Sequence, residues 1–306
     1  MNEKFLLMPH LQVQNANALS SPFTIGFPAM TAWLGAVHAM ERKLIENNPV
    51  LRFNGVGVVS HQFDLQTYRG PGDYEYSIIG TANPLDKTGA RSAFIEEPRC
   101  HLEVSLVIAY DGIEKQDETT FLDQVHHLLI SQLKIAGGDI LRTQAPKVFR
   151  DFDLLKNRLM PGYALIERRD LMINAMEQGR DAFDALLDFL SVHHQSEQIQ
   201  DNNETTISWR SQRKTTGEDG KRGWIVPIAT GFHAISELAE AKNQRDPATP
   251  HRFVESLVTL GEFVMAHKMD SSEQLLWHYH HDITKNLYLC QQQRTDPQTL
   301  LSEDGF

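Results

Sequence analysis

The sequence predicts an α+β fold built on a ferredoxin-like core. Three observations carry that prediction. Apolar residues recur with a period of two in some segments and at helical spacing in others. Across the first half these segments run strand, helix, strand, strand, helix, strand. A stretch near 68–98 breaks both periods and reads as an insertion into that order.

Phe5 to Val13 forms the first expected strand, running into the polar Gln14-Asn15-Ala16-Asn17. Ser20-Ser21-Pro22, Gly26 and Pro28 then mark a turn-rich loop. Met30, Trp33, Leu34, Val37, Met40 and Leu44 recur at helical spacing until Asn47-Asn48-Pro49. Asn54 to Gln66 reads as a second strand, in which Gly55 and Gly57 suggest a bulge or close backbone contact. The insertion holds Gly70-Pro71-Gly72, Asn83-Pro84 and Lys87-Thr88-Gly89, a hairpin or extended loop. Leu102, Val104, Leu106 and Ile108 alternate as a half-buried third strand. Leu122, Val125, Leu129 and Leu133 give a second helix closed by Gly137-Gly138. Asp139 to Arg142 begins the fourth strand, which completes a core region over residues 1–169.

Residues 170–306 read as a mixed, mainly helical region. Pro161 to Glu167 is a strand leading into it, and Asp181 caps a helix carrying Phe183, Leu186, Leu187 and Leu190. The polar stretch near 193–223 reads as a mobile loop or irregular excursion. Trp224 to Ile228 is a short strand. Thr249-Pro250 opens a helix through Phe253, Leu257, Leu260 and Val264. Ser272 opens a last one through Trp277, and the tail from Asp296 is expected to fray.

Two cysteines, Cys100 and Cys290, cannot build a disulfide framework and fit a reducing cytoplasm. No run approaches the ~18 apolar residues of a membrane span, and no signal-peptide pattern opens the chain. A net charge of -11 argues against a freestanding nucleic-acid binder. The charge is uneven, however. Acidic residues crowd Glu96 to Asp123, while Arg142, Lys147, Arg150, Lys156, Arg158, Arg168 and Arg169 form one basic group. Arg210, Arg213, Lys214, Lys221 and Arg222 form another. Each group is either a solvated face or a local grip on phosphate.

None of the 14 histidines sits in a pattern that demands catalysis. On a helix, only His278 with His281, or His278 with Asp282, would share a face of the His278-Tyr279-His280-His281-Asp282 run. His101-Leu102-Glu103 resembles half of a zinc deaminase signature whose Pro-Cys-x-x-Cys half is absent. No metal site, cofactor or catalytic residue is therefore expected. One enzymatic alternative stays open, a metal-independent ribonuclease with His61 or His101 as proton carrier. Phe23, Phe27, Phe63, Tyr68 and Phe149 sit near polar or turn residues and are candidates for stacking RNA bases.

A family resemblance rests on an ordered series of segments. It opens with Leu11-Gln12-Val13-Gln14-Asn15-Ala16-Asn17-Ala18-Leu19-Ser20-Ser21-Pro22 and Gly26-Phe27-Pro28. It continues through Gly55-Val56-Gly57-Val58-Val59-Ser60-His61, Arg99-Cys100-His101-Leu102-Glu103 and Ile135-Ala136-Gly137-Gly138-Asp139. Leu159-Met160-Pro161-Gly162-Tyr163, Gly223-Trp224-Ile225-Val226-Pro227 and Leu275-Leu276-Trp277-His278 complete it. Together these resemble the Csy-two (Cas-five-type) subunit of the type I-F CRISPR surveillance complex. The resemblance implies an RNA-recognition-like (RAMP) core with a thumb-like element. It implies contact with the 5′ handle of the guide RNA, pairing with the large Csy-one subunit, and a place beside the repeated Csy-three subunit. Target DNA would be met through the assembly, and relatives that cut RNA keep the ribonuclease alternative in view. The residues expected to meet RNA are inferred from position. Asn15, Asn17, Ser20 and Ser21 follow the first strand, His61 and Gln62 lie on the second, and Arg99 and His101 lead into the third. Gly137 and Gly138 would let a backbone pass closely, and Arg142, Lys147 and Arg150 would neutralise phosphates. Each of these residues also fits a turn, a core position or a solvated surface.

Overall fold

The computed structural model describes residues 4–79, 85–90, 97–201, 204–213, 224–244 and 246–292. In chain order the elements are β1 (Lys4–Asn17), β2 (Leu19–Ser21), β3 (Thr24–Ile25), α1 (Met30–Ile45), β4 (Arg52–Leu65), β5 (Thr67–Tyr68), β6 (Ser77–Ile78) and β7 (Arg99–Asp111). Then come α2 (Glu118–Ser131), β8 (Lys134–Ile135), β9 (Gly138–Arg142), β10 (Lys147–Phe149), α3 (Phe152–Arg158), β11 (Tyr163–Glu167), α4 (Arg169–Glu177) and α5 (Ala182–Leu190). The last are β12 (Val192–Asp201), β13 (Glu204–Arg213), β14 (Trp224–Ala234), β15 (Val254–Met265), β16 (His278–Asp282) and β17 (Leu287–Gln291).

Mixed α+β architecture is what the alternating periods predicted. One antiparallel sheet takes 11 strands, in the order β16-β17-β14-β15-β11-β4-β7-β1-β9-β8, with β10 also paired to β1. The centre of this sheet is β4-β7-β1. On one face Leu6, Met8, Val104, Leu106 and Ile108 pack against Trp33, Leu34 and Val37 of α1 and Phe121 and Val125 of α2. The helical stripe read from the sequence is this contact, since Met30, Trp33, Leu34, Val37, Met40 and Leu44 are all buried. On the other face Phe5, Leu7, Val59, Val107 and Ala109 meet Leu155, Leu159, Leu275 and Leu276. Strand β7 is therefore buried on both faces from Val104 to Tyr110, not half-buried as its alternation suggested.

That second layer stops at Val107. Beyond it His101 and Glu103 keep partial exposure, and the open sheet end they define positions the candidate site.

Strand β4 carries the link to the C-terminal strands. A Cβ at Gly55 would lie 2.6 Å from His278 Cε1, and one at Gly57 would lie 2.4 Å from Leu275 Cγ. The close contact expected of these glycines is thus with the Leu275–His278 segment. Val56 and Trp277 exchange both backbone hydrogen bonds, at 2.9 and 2.8 Å. The buried Trp277 indole donates to the Leu165 carbonyl of β11 at 2.9 Å.

Several expectations are corrected. The C-terminal region is not mainly helical: β14 to β17 all join the large sheet. The expected helix after Thr249-Pro250 is β15, hydrogen-bonded to β14 on one side and β11 on the other. Its Val254, Val258, Thr259, Phe263 and Val264 suit a strand, and two ladders outweigh a fortuitous helical spacing. The helix from Ser272 is one 3-10 turn (Ser272–Gln274), because Trp277 is held extended by Val56. The His278–Asp282 run is β16, so His278, His280 and Asp282 share a face instead of His278 and His281. The irregular excursion is an antiparallel hairpin of β12 and β13, paired from Val192–Arg213 to Asp201–Glu204. Among the described residues its strands pair only with each other, and residues 192–198 and 207–211 are exposed, so nothing there imposed an apolar alternation. Gly137-Gly138 does not close α2, whose cap is Gln132; Gly137 lies in the turn after β8 and Gly138 opens β9, paired with Ile135. Asn83-Pro84, Glu96, Lys214, Thr215-Thr216-Gly217, Lys221, Arg222, Asn202-Asn203 and the tail from Asp296 lie outside the described residues.

Candidate RNA-facing site

Three irregularities in the central strands build the site. The β1–β7 register shifts between Met8 and Leu11 and again between Val13 and Ala16. The β4–β7 register shifts between Ser60 and Gln62. His10 and Asn15 take positive φ at 51° and 61°, the left-handed region that His and Asn tolerate better than most residues. The bulges re-aim His10, Asn15 and His61 around Glu103, Ser105 and His101 of β7.

A directed chain of hydrogen bonds crosses the sheet here. The His10 backbone N–H donates to Ser105 Oγ at 3.1 Å. Ser105 Oγ lies 2.7 Å from His61 Nε2, and His61 Nδ1 lies 2.6 Å from the Pro161 carbonyl. A carbonyl only accepts, so Nδ1 carries the proton and neutral Nε2 accepts from the Ser105 hydroxyl. The His10 ring stacks on His61 with centroids 4.3 Å apart, and its Nδ1 lies 2.6 Å from Glu103 Oε1. Burial is the main cause that lowers the His61 pKa. His10 pushes it the same way, while the Pro161 carbonyl and Glu103 pull it back.

Beside this network, Gln12, Val13, Gln14, Gln62, His101, Leu102, Glu103 and Leu141 line a shallow pocket of about 220 Å³. The Asn15 N–H donates to His101 Nδ1 at 3.0 Å, so the other ring nitrogen of the neutral histidine carries its proton. Gln12 pairs across the ladder with Glu103 on one side and Arg142 on the other. Gln62 pairs with Glu103 from β4. Neutral amides, an imidazole N–H and the Glu103 carboxylate, with an exposed guanidinium at the flank, suit base edges and ribose hydroxyls more than a row of phosphates.

The structure divides the expected residues into groups. His61, Gln62, His101 and Asn15 come together, with Arg142 alongside. Asn17 holds its own turn, with Oδ1 accepting from Leu19 N at 3.1 Å and Nδ2 donating to Leu19 O at 3.0 Å. Ser20 and Ser21 close on Thr24 Oγ1 at 2.8 and 2.7 Å. Gly138 does make a close approach, but to β1: a Cβ there would fall 2.7 Å from Gln14 O and 2.8 Å from Ala16 N. Gly137, at φ 76°, supplies the turn. Arg99 pairs with Glu97 at 2.8 Å. Arg150 pairs with Glu118. Lys147 is opposite Leu7, near the other end of β1. The Cys100 thiol is fully buried, and burial pushes its pKa up to about 12.

Sequence reasoning missed His10, Ser105, Gln12 and Gln14. The Leu11-Gln12-Val13-Gln14 alternation already put both glutamines on one polar face. Pro9 inside a strand pattern was a legible sign of the bulge that turns His10. Among the described residues no group of three or more His, Cys, Asp or Glu converges as metal ligands. No described helix is long and apolar enough to cross a membrane.

Comparison with known proteins gives a consistent family. The family described as CRISPR-associated protein (Cas_Csy2) matches residues 6–290. The CRISPR-associated protein Csy2 of Pseudomonas aeruginosa (strain UCBPP-PA14) is 34% identical over 317 residues, covering 94% of each chain.

Proposed function

The chain belongs to the Csy2 family of CRISPR-associated proteins, and from that membership we propose that it is a non-catalytic subunit of the type I-F Csy surveillance complex. In that complex it holds the 5′ handle of the guide RNA and serves antiviral targeting of DNA. The observation that carries the RNA role is the open end of the central sheet, where Gln12, Gln14, Gln62 and His101 surround one pocket.

Support for an RNA-recognition-like core over residues 1–169 comes from connectivity. The order β1-α1-β4-β7-α2-β9 along the chain, with β9-β1-β7-β4 side by side in the sheet, is that of ferredoxin-like modules. Modules of this kind present the face opposite their helices to RNA. The β12–β13 hairpin, which stands apart from the large sheet, is the counterpart of a thumb-like element. Partners in this role are the guide RNA, the large Csy-one subunit and the repeated Csy-three subunit, with target DNA reached through the assembly. The net charge of -11 then suits acidic faces set against basic partners, with one basic flank left for phosphate. A structural role is favoured over RNA cleavage because both His61 ring nitrogens are engaged within the fold.

Co-expression with the large subunit, followed by purification and sequencing of retained RNA, tests the assignment. Guide RNA should co-purify, and Arg142→Ala should lower the slope of log affinity against log salt by about 0.7, as expected for one phosphate contact to a single strand. Failure of the subunits to associate counts against it. Site-specific cutting of precursor RNA by the purified chain in chelator, lost in His61→Ala or His101→Ala, would replace it with ribonuclease activity.

A further inference from the structure

Building on that RNA role, we propose that Tyr68, Tyr74 and Tyr76 form a stacking platform for unpaired RNA bases beyond the sheet pocket. The three rings stand 61%, 97% and 67% exposed within nine residues. A single exposed aromatic is ordinary. This group is different because its loop is closed by its own bonds, which leave the rings outside. Gly70 N–H donates to Asp73 Oδ2 at 2.8 Å, Asp73 N–H to the Gly70 carbonyl at 3.1 Å, and Arg69 Nε to the Asp73 carbonyl at 2.9 Å. The Arg69 guanidinium sits 5.5 Å over the Tyr76 ring. Tyr74 contributes almost nothing to the core.

The position of the loop favours nucleic acid. Strand β4 pairs Leu65 with Cys100, and Gln66 N–H donates to the Arg99 carbonyl at 2.8 Å. Ile79 N–H then closes the β5–β6 hairpin on the Gln66 carbonyl at 3.3 Å. The tyrosines therefore rise from the end of the sheet that holds Gln62 and His101, and a strand leaving the pocket past His101 meets them next. The chemistry points the same way. A protein hot spot needs flanking contacts that exclude water, but the residues between these rings are Arg69, Gly70, Pro71, Gly72, Asp73 and Glu75. Exposed rings, with Tyr76 covered on one face by the Arg69 guanidinium, suit bases, which stack in any sequence.

The test is photo-crosslinking of the full chain at low salt to a single-stranded RNA carrying 4-thiouridine, with the crosslinked peptides mapped by mass spectrometry. Crosslinks should fall on residues 67–79 as well as on the sheet strands. Tyr74→Ala and Tyr76→Ala should each weaken binding by about tenfold, whereas Tyr74→Phe and Tyr76→Phe retain it because the ring survives. Crosslinks confined to the β1, β4 and β7 peptides would overturn the platform and leave the guide-holding role intact. No RNA binding by the chain or its assembly would overturn both. RNA binding unchanged in the alanine variants, with co-purifying subunits lost, would assign the tyrosines to a protein partner and overturn the platform.

Discussion

Replacing Trp277 by Phe tests how the C-terminal strands are fastened to the core. The indole is fully buried, its Nε1–H donates to the Leu165 carbonyl at 2.9 Å, and its backbone is clasped by Val56. Phenylalanine keeps most of the apolar ring but removes the donor. A buried carbonyl stripped of its donor costs ~1–3 kcal/mol. The unfilled part of the indole pocket adds ~1 kcal/mol. The expected loss is ~2–4 kcal/mol, and with an unfolding entropy of ~0.6 kcal/mol/K for a chain this long Tm should fall by ~3–6 °C. Trp224→Phe is the control, because that ring is 59% exposed and a surface change there should stay within ~0.5 kcal/mol. Urea and thermal unfolding followed by circular dichroism give both values. Equal losses for the two variants would refute the assignment of Trp277 as the fastening.

His61 makes stability depend on pH. Its folded pKa lies below the ordinary value of 6.5, so the unfolded chain binds the proton more readily. Stability from this group is present above about pH 6.5 and is lost as pH falls through the lowered folded value. His61→Asn should flatten the fall in urea midpoint between about pH 7.5 and about pH 5.5, and an unchanged slope would contradict the linkage. Gly138→Ala should cost ~1–3 kcal/mol and speed amide exchange in β8 and β9, because the new Cβ meets β1 backbone that cannot yield. Gly35→Ala, on the exposed side of α1 with nothing within 4 Å of its Cβ, should instead stabilise by ~0.5–1 kcal/mol. A loss on Gly35→Ala would indicate an unseen constraint on that helix face.

The N-terminal half was legible because its periods have single causes. The α1 stripe faces one sheet, and Leu11-Gln12-Val13-Gln14 alternates across one pleat. Asp181 announced α5 through its cap, accepting from Phe183 N at 2.8 Å. The C-terminal half hid its strands for three physical reasons. β15 lies between two ladders and shows no clean alternation. The described faces of the β12–β13 hairpin, at residues 192–198 and 207–211, are exposed. β16 owes its extended form to Trp277, which is held by a residue 221 positions away, at Val56. Within the site, position on the expected strands singled out His61, Gln62 and His101. It could not show that His10 stacks on His61, because that contact depends on two bulges in separate strands.

The fastening of β4 has a consequence for synthesis on the ribosome. The edge of β4 that faces away from β7 is covered only when β11 and the Trp277 segment exist. At ~5–20 residues per second, β11 follows β4 by ~5–20 s and Trp277 follows by ~10–40 s. Through that interval the nascent chain carries a strand rich in Val56, Val58 and Val59 with one unsatisfied edge, the kind of surface that pairs with a neighbouring copy. Fragments ending before Tyr163 should therefore aggregate. Slower, cooler expression with the full C-terminal half present should favour the soluble chain.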